Sequence, residues 1–130
     1  MTPRILVVED NAVNRELLCD WLAAQGYAVL SAEDLSDAQH LLQGQQPDAV
    51  LLDVQLGTED GLSLAAWIRQ QPRFAGIPLI VVTAHAMVTE QQRFLQSGCN
   101  ACISKPIDFK VLSRELDKWL APLQKFPSRV

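Results

Sequence analysis

Five side chains of the kinds that hold metal ions and phosphoryl groups each stand at the end of a short apolar run. They are three carboxylates, one hydroxyl and one amine: Glu9, Asp10, Asp53, Thr83 and Lys105. Three carboxylates brought to one place repel one another and raise each other's pKa unless a cation is present. Lys105 alone does not neutralise them, whereas Mg²⁺ prefers oxygen ligands and often shares its site with phosphate. The set therefore predicts Mg²⁺ held by Glu9, Asp10 and Asp53.

Asp53 is the predicted phosphoacceptor, because a carboxylate can act as a nucleophile and form an aspartyl phosphate. Phosphoryl transfer needs mainly positioning and neutralisation of charge. The metal would bridge Asp53 and one phosphoryl oxygen, the Thr83 hydroxyl would bind a second oxygen, and the Lys105 ammonium would pair with the third. The alternative for any single acid is that it only caps a helix.

These residues must be positioned by alternating strands and helices. Apolar runs predict strands over Arg4–Val8, Tyr27–Ser31, Ala49–Leu52, Leu79–Val82 and Ala101–Ser104. Amphipathic stretches predict helices over Ala12–Gln25, Leu35–Gln43 (with Asp34 as N-cap), Leu62–Gln71, Met87–Ser97 and Phe109–Leu120. This alternation predicts an α/β fold with a doubly wound, five-stranded parallel sheet. The carboxyl ends of such strands meet at one edge, where ligands bind.

Length and composition favour one globular domain. The chain has 130 residues, and we predict a domain over 1–121 and a short, flexible C-terminal tail over 122–130. The net charge is −4 and the basic residues are scattered, which argues against a nucleic-acid partner. No apolar run is long enough to span a bilayer and the first residues show no signal-peptide pattern, so we expect no membrane partner and a cytoplasmic location.

The ordered set of motifs resembles the receiver domain of two-component response regulators. The similar pieces are Ile5–Asn11, Leu51–Val54, Asp60-Gly61, Val81–Ala84 and Lys105-Pro106, within a resemblance that covers about residues 3 to 121. Gly98-Cys99 and Ile103–Ile107 are most similar to the single-domain type related to the cell-division regulator DivK.

The resemblance implies a flavodoxin-like (βα)5 fold with strand order 2-1-3-4-5. It also implies that Asp10, Asp53 and the backbone carbonyl of Gln55 ligate Mg²⁺, that Glu9 acts through water, and that Thr83 and Lys105 sense the phosphoryl group.

The same resemblance implies the partners. The donor would be a phosphohistidine on a histidine kinase or a histidine phosphotransfer protein. A downstream protein target would meet the face formed by helix 4, strand 5 and helix 5. The chain would then be a switch with only self-phosphorylation and self-dephosphorylation chemistry, and not an enzyme.

Two positions depart from the family pattern. Cys102 stands where an aromatic residue is usual, three residues before Lys105, so an aromatic rotamer that follows Thr83 is missing. We expect the output to depend on loop movement and repacking of helix 4. Gly57 stands where many members have proline, which predicts a looser loop without loss of the chemistry.

Three other functions fit parts of the sequence. A phosphorelay intermediate, or a receiver fragment of a hybrid kinase, would use the same residues, although Met1 favours a stand-alone chain. A haloacid-dehalogenase-like phosphatase would need a general acid where Gln55 stands. A flavodoxin-like cofactor binder would need a neutral phosphate loop, whereas Glu9 and Asp10 open this one.

Several further residues have two interpretations. Cys99 and Cys102 have redox-motif spacing but enter a strand, so packing is favoured over redox or zinc chemistry. His85 would lie at the rim of the site or simply in solvent. Four apolar residues are candidate partner contacts or ordinary core: Met87, Val88, Phe94 and Phe109.

Overall fold

Five strands interleaved with five helices build the domain. The computed structural model describes residues 2–56, 59–84 and 87–124. In chain order the elements are β1 (Arg4–Val8), α1 (Ala12–Ala24), β2 (Ala28–Ala32), α2 (Leu35–Gln45), β3 (Ala49–Asp53), α3 (Leu62–Arg69), β4 (Leu79–Thr83), α4 (Val88–Gln96), β5 (Ala101–Ser104) and α5 (Phe109–Gln124). Between β3 and α3, Gln55–Leu56 pairs with Glu59–Asp60 as a small antiparallel hairpin.

The five long strands form one parallel sheet in the order β2-β1-β3-β4-β5. This confirms the predicted order 2-1-3-4-5. In the register, Val8 of β1 lies opposite Leu52 of β3, and Asp53 lies opposite Val82 of β4. Thr83 then lies opposite Ser104 of β5. The carboxyl ends of these four neighbouring strands are therefore level with one another.

Alternate strand residues supply two separate cores, one on each face of the sheet. Leu6 and Val50 pack in the core that α2, α3 and α4 cover. Ile5 and Leu51 pack in the core that α1 and α5 cover. Burying each large aliphatic side chain contributes on the order of 1.5–3 kcal/mol, which explains why the central strands are apolar throughout. The predicted doubly wound sheet is confirmed.

Side-chain caps and glycines fix the helix ends. Asn11 Oδ1 accepts a hydrogen bond from the Asn14 backbone N–H at 2.9 Å, at the start of α1. Asp34 Oδ1 accepts from the Asp37 backbone N–H at 2.8 Å, which confirms the predicted cap of α2. Gly98 follows α4 with φ at 101°, a conformation that glycine adopts without strain.

Several predicted boundaries were wrong by a few residues. β3 and β4 include Asp53 and Thr83, because both residues still pair with the neighbouring strand. Helix α3 ends at Arg69, before Pro72. Helix α5 continues to Gln124, so the first three residues of the predicted tail are helical, while 125–130 lie outside the described residues. Within the described part of the chain, no helix is long and apolar enough to cross a bilayer.

Arg69 connects chain segments at the amino ends of the strands, opposite the carboxyl ends. Its Nη1 donates to the carbonyls of Ala75 at 2.8 Å and Ile77 at 2.7 Å, just before β4. Its Nε and Nη2 donate to the Gly98 carbonyl at 2.9 and 2.6 Å, and Nη2 also donates to Asn100 Oδ1 at 2.9 Å. The guanidinium thus joins the end of α3 to the segments that enter β4 and β5.

The cysteines pack as ordinary apolar side chains. Burial raises the pKa of the Cys99 thiol to about 11, and burial also raises the pKa of Cys102. Both therefore favour the unreactive thiol form. All three cysteines are free, and the group of described residues that could hold a metal ion contains none of them. The geometry agrees with the packing interpretation of Cys99 and Cys102.

Candidate functional site

The sheet register brings the predicted residues to one edge. Glu9 and Asp10 follow β1 directly, and Asp53 ends the adjacent strand β3. Thr83 ends β4, and Lys105 follows β5, with its backbone N–H donating to the Thr83 carbonyl at 2.8 Å. Four strands that are neighbours in the sheet thus supply three carboxylates, one hydroxyl and one ammonium to one cleft.

Lys105 connects two of the carboxylates. Its Nζ lies 2.8 Å from Asp53 Oδ2 and 3.3 Å from Glu9 Oε1. Both acids are buried, whereas the Lys105 side chain is partly exposed. Burial alone would lower the pKa of the Lys105 ammonium, but its interactions with Asp53 and Glu9 raise that pKa above the ordinary value. Lys105 is therefore firmly protonated and points at the predicted phosphoacceptor.

Glu9 holds a proton far more tightly than an exposed glutamate. Burial, together with a hydrogen bond to Asp53, raises the pKa of Glu9 to about 7. The Asn11 backbone N–H, which lies 3.1 Å from Glu9 Oε2, and the charge of Lys105 oppose this shift. One ammonium is therefore insufficient to keep the buried Glu9 fully ionised at neutral pH.

The carboxylates fit a divalent cation. Glu9, Asp10 and Asp53 each offer an oxygen, and these three oxygens all lie within 4.8 Å of one another. Two of the acids are buried and Asp10 is exposed, so the group opens to solvent on one side. An all-oxygen donor set with room for water is the arrangement that Mg²⁺ prefers. The raised pKa of Glu9 points the same way, since a cation would relieve the repulsion that causes part of it.

Gln55 was predicted to contribute its backbone carbonyl. The structure places Gln55 in the small hairpin after β3, paired with Asp60. Its role as a ligand stays a prediction. Gly57 and His85 lie outside the described residues.

Gly61 allows the start of α3 to touch the phosphoacceptor strand. Its backbone N–H donates to the Val54 carbonyl at 3.0 Å. A Cβ at this position would lie 2.6 Å from the Asp53 carbonyl oxygen and 2.8 Å from the Val54 Cα. Real Cβ atoms do not approach backbone so closely, so glycine is needed here for packing and not for its φ angle. In the sequence alone, Asp60-Gly61 stands out only as part of the family-like motif set.

Thr83 is buried and lines a small cavity of about 170 Å³ between the site and α4. Phe94 of α4 lines the same cavity and is buried in the core, where the half-buried Cys102 also packs. Of the apolar residues predicted as partner contacts, Phe94 is therefore core, whereas Met87 is exposed. Phe109 is half-buried and stacks on Trp21 with ring centroids 4.9 Å apart. The side chain of Val88 is not described.

Arg15 is a residue of the site that sequence analysis missed. Its Nη1 donates to the Glu9 carbonyl at 2.9 Å and lies 3.4 Å from the Asp10 carbonyl. Its Nη2 lies 3.9 Å from Glu33 Oε2, in the segment that follows β2. A basic residue in the first turn of a helix has the wrong sign for the helix dipole, and that anomaly is the sequence signal that could have singled it out.

An apolar groove opens beside the cleft. It has a volume of about 450 Å³ and lies between α1 and the connection from β5 to α5, with Glu9 and Lys105 at one end. Its apolar lining comes from Leu17, Leu18, Pro106, Ile107 and Phe109. Leu17 is 56% exposed and Val13, one turn earlier on α1, is 73% exposed. Exposed apolar side chains at this spacing form a stripe along the helix next to the site.

Known proteins are similar to this chain in sequence and in fold. Residues 5–117 match the response regulator receiver domain family. The polar-differentiation response regulator DivK of Brucella ovis is 38% identical over 107 residues, which cover 82% of this chain and 87% of that protein. DivK of Brucella anthropi is 37% identical over the same shares.

Two solved structures are receiver domains of histidine kinases. The receiver domain of the sensor histidine kinase PA1611 from Pseudomonas aeruginosa, solved with a magnesium ion coordinated in its active site cleft, has a TM-score of 0.84 and 34% identity, covering 93% of this chain and 99% of that one. The receiver domain of a signal transduction histidine kinase from Syntrophus aciditrophicus has a TM-score of 0.85 and 28% identity, covering 98% and 96%. With its parallel sheet, its acidic cleft and a family match over most of its length, this chain belongs to the response regulator receiver domain family of two-component signalling.

Proposed function

We propose that this receiver domain accepts a phosphoryl group on Asp53 in an Mg²⁺-dependent reaction. The observation that carries the proposal is the placement of Asp53: its carboxylate lies 2.8 Å from the Lys105 ammonium and within 4.8 Å of ligand oxygens on Glu9 and Asp10. Glu9, Asp10, Asp53 and the Gln55 backbone carbonyl would hold Mg²⁺, which would supply positive charge to the phosphoryl oxygens.

The chain's own residues perform the rest of the reaction. The ionised Asp53 carboxylate attacks phosphorus, a bond forms between one of its oxygens and phosphorus, and the bond from phosphorus to the donor nitrogen breaks. Lys105, released from the Asp53 charge, pairs with a phosphoryl oxygen. The Thr83 hydroxyl donates a hydrogen bond to another oxygen.

The donor we propose is a phosphohistidine of a histidine kinase or a histidine phosphotransfer protein. The groove between α1 and the β5–α5 connection supports this choice, because Glu9 and Lys105 line both the groove and the site. A helix docked against Leu17 and Ile107 would bring its histidine to the mouth of the cleft. The downstream protein target would then meet the separate face of α4, β5 and α5, where Met87 and Leu95 are exposed.

A second candidate is a receiver that passes its phosphoryl group to another histidine, as a relay intermediate or as part of a hybrid kinase. The similarity to two receiver domains of histidine kinases supports it. The two candidates differ in the fate of the phosphorylated protein. A relay receiver loses its phosphoryl group to a histidine phosphotransfer protein when that protein is added, whereas a terminal switch keeps it until hydrolysis.

The proposal is tested with acetyl phosphate as a small phosphodonor. Incubation with Mg²⁺ should raise the intact mass by one phosphoryl group, and incubation with a chelator in place of Mg²⁺ should leave the mass unchanged. The same samples, after removal of the donor, should return to the starting mass as the acyl phosphate hydrolyses. An equal gain in mass with and without Mg²⁺ would refute a metal-dependent site.

Mg²⁺ affinity is expected to fall as the solution becomes more acidic. The pKa of Glu9 in the metal-free protein is about 7, so a proton competes with the cation below that pH. Lowering the solution from about pH 8 to about pH 6 should raise the Kd for Mg²⁺ about tenfold, as measured by isothermal titration calorimetry. In Glu9→Gln this pH dependence should largely disappear, although the affinity itself will be lower. A wild-type Kd that is constant over this range would contradict the assignment.

A further inference from the structure

Arg15 lies near the N-terminus of α1, where a positive charge does not stabilise the helix. It belongs to the first turn of α1, where the helix dipole disfavours a cation. Its side chain is nevertheless only 22% exposed and does not extend into solvent. An arginine that is held inward at an unfavourable position must gain compensating contacts elsewhere.

Those contacts are the backbone carbonyls of two predicted metal ligands. Nη1 donates to the Glu9 carbonyl at 2.9 Å and lies 3.4 Å from the Asp10 carbonyl. Nη2 faces Glu33 at 3.9 Å, so the same guanidinium reaches from the loop after β1 to the loop after β2. The rigid, planar fork of arginine can hold several acceptors in fixed relative positions, which a lysine cannot do.

The Asp10 carboxylate depends on its backbone for its position. It is exposed, and no hydrogen bond or ion pair with it occurs within residues 2–56, 59–84 and 87–124. Glu9 differs, because Lys105 and the Asn11 backbone N–H both contact its carboxylate. A shift of the peptide between Glu9 and Asp10 would therefore move the Asp10 oxygen away from Asp53.

We propose that Arg15 is a positioning residue for the Mg²⁺ site, because it fixes the backbone from which the Glu9 and Asp10 carboxylates project. This inference rests on the proposed function, since it assumes that Mg²⁺ binds to these acids. Replacing a residue that orients metal ligands in this way typically lowers the metal affinity by roughly 10- to 100-fold.

The direction of the change in Mg²⁺ affinity on removal of Arg15 distinguishes a positioning role from a purely electrostatic one. If Arg15 acted only through its positive charge near three acids, its removal would leave a more negative site, and Mg²⁺ would bind more tightly. If Arg15 positions the ligands, its removal weakens Mg²⁺ binding. A merely structural Arg15 would lower the melting temperature and leave the affinity unchanged.

The experiment measures the Kd for Mg²⁺ by calorimetry and the Tm by circular dichroism. We expect Arg15→Ala to raise the Kd about tenfold, and Arg15→Lys to restore only part of the loss although it keeps the charge. The matched control is Arg93→Ala on α4, whose side chain is 59% exposed and faces Glu90 at 3.5 Å; its Kd should equal that of the wild type.

Each outcome has a defined meaning. Unchanged or tighter Mg²⁺ binding by Arg15→Ala overturns the inference while leaving the proposed function intact. Full recovery by Arg15→Lys also overturns it, because the planar fork of the guanidinium would then not be needed to hold the two carbonyls. Absence of Mg²⁺ binding in the wild-type protein refutes the proposed function and this inference together. If Arg15→Ala does not fold, the comparison of Arg15→Lys with the wild type decides by the same criterion.

Discussion

Asp53→Asn is expected to abolish the gain of one phosphoryl group from acetyl phosphate and Mg²⁺. The amide has no ionised oxygen to attack phosphorus, so the nucleophile is lost completely. The fold should persist, because asparagine has nearly the same shape and its side-chain oxygen can still accept a hydrogen bond from Lys105, which lies 2.8 Å from Asp53 Oδ2. Intact-mass spectrometry of the wild type and the variant under identical conditions gives the measurement.

The matched control is Asp20→Asn, which changes an exposed aspartate on α1. This variant should be phosphorylated as fully as the wild type. If Asp53→Asn still gains the mass of a phosphoryl group, the acceptor is another residue, and peptide mapping would identify it. The buried Glu9 would be the first to inspect, since it contacts the same lysine.

Arg69→Ala should lower the free energy of unfolding by about 3 kcal/mol. The change removes a half-buried guanidinium that donates to the carbonyls of Ala75, Ile77 and Gly98 and to Asn100 Oδ1. Hydrogen bonds to a charged group contribute about 1.5–3 kcal/mol each, and buried acceptors left without a donor are costly. Burial also lowers the pKa of Arg69, although the guanidinium remains protonated at any physiological pH.

Urea unfolding followed by circular dichroism gives the measurement. Arg69→Lys should recover little, because one ammonium cannot reach all the acceptors on the two segments that precede β4 and β5. Arg93→Ala, an exposed change on α4, should stay within about 0.5 kcal/mol of the wild type. Below the unfolding transition, Arg69→Ala should still accept a phosphoryl group, since Arg69 lies at the opposite edge of the sheet from Asp53. If Arg69→Ala lowers the free energy of unfolding by less than about 1 kcal/mol, the prediction is wrong, because water then replaces the guanidinium at little cost.

The sheet and the main site residues were predictable from local patterns. Strands buried on both faces must be apolar throughout, as in Leu79–Val82, and chemistry-bearing residues at their carboxyl ends must converge. Glu9, Asp10, Asp53, Thr83 and Lys105 could be found from residue type and position alone because parallel topology leaves them one place to meet.

Other features depend on contacts that no local pattern encodes. The need for glycine at position 61 comes from a backbone approach by Asp53, which precedes it by eight residues and carries no signal of that contact. Arg15 could be placed only once β1 and β2 were adjacent. Met87 and Phe94 looked alike in the sequence, but Met87, in extended backbone just before α4, is exposed, whereas Phe94 within α4 is buried.

The interactions at the two ends of the strands depend differently on the ions and protons in solution. At the carboxyl edge, Asp53, Glu9 and Lys105 form a cluster of ionisable groups, whose interactions depend on ionic strength and on protons. At the other edge, the Arg69 guanidinium donates to neutral carbonyl and amide oxygens. Dissolved ions and protons therefore act more strongly on the acidic cleft than on these Arg69 contacts. The contacts through which Arg69 joins α3 to the segments before β4 and β5 can then stay constant while the salt and acidity of the surroundings vary.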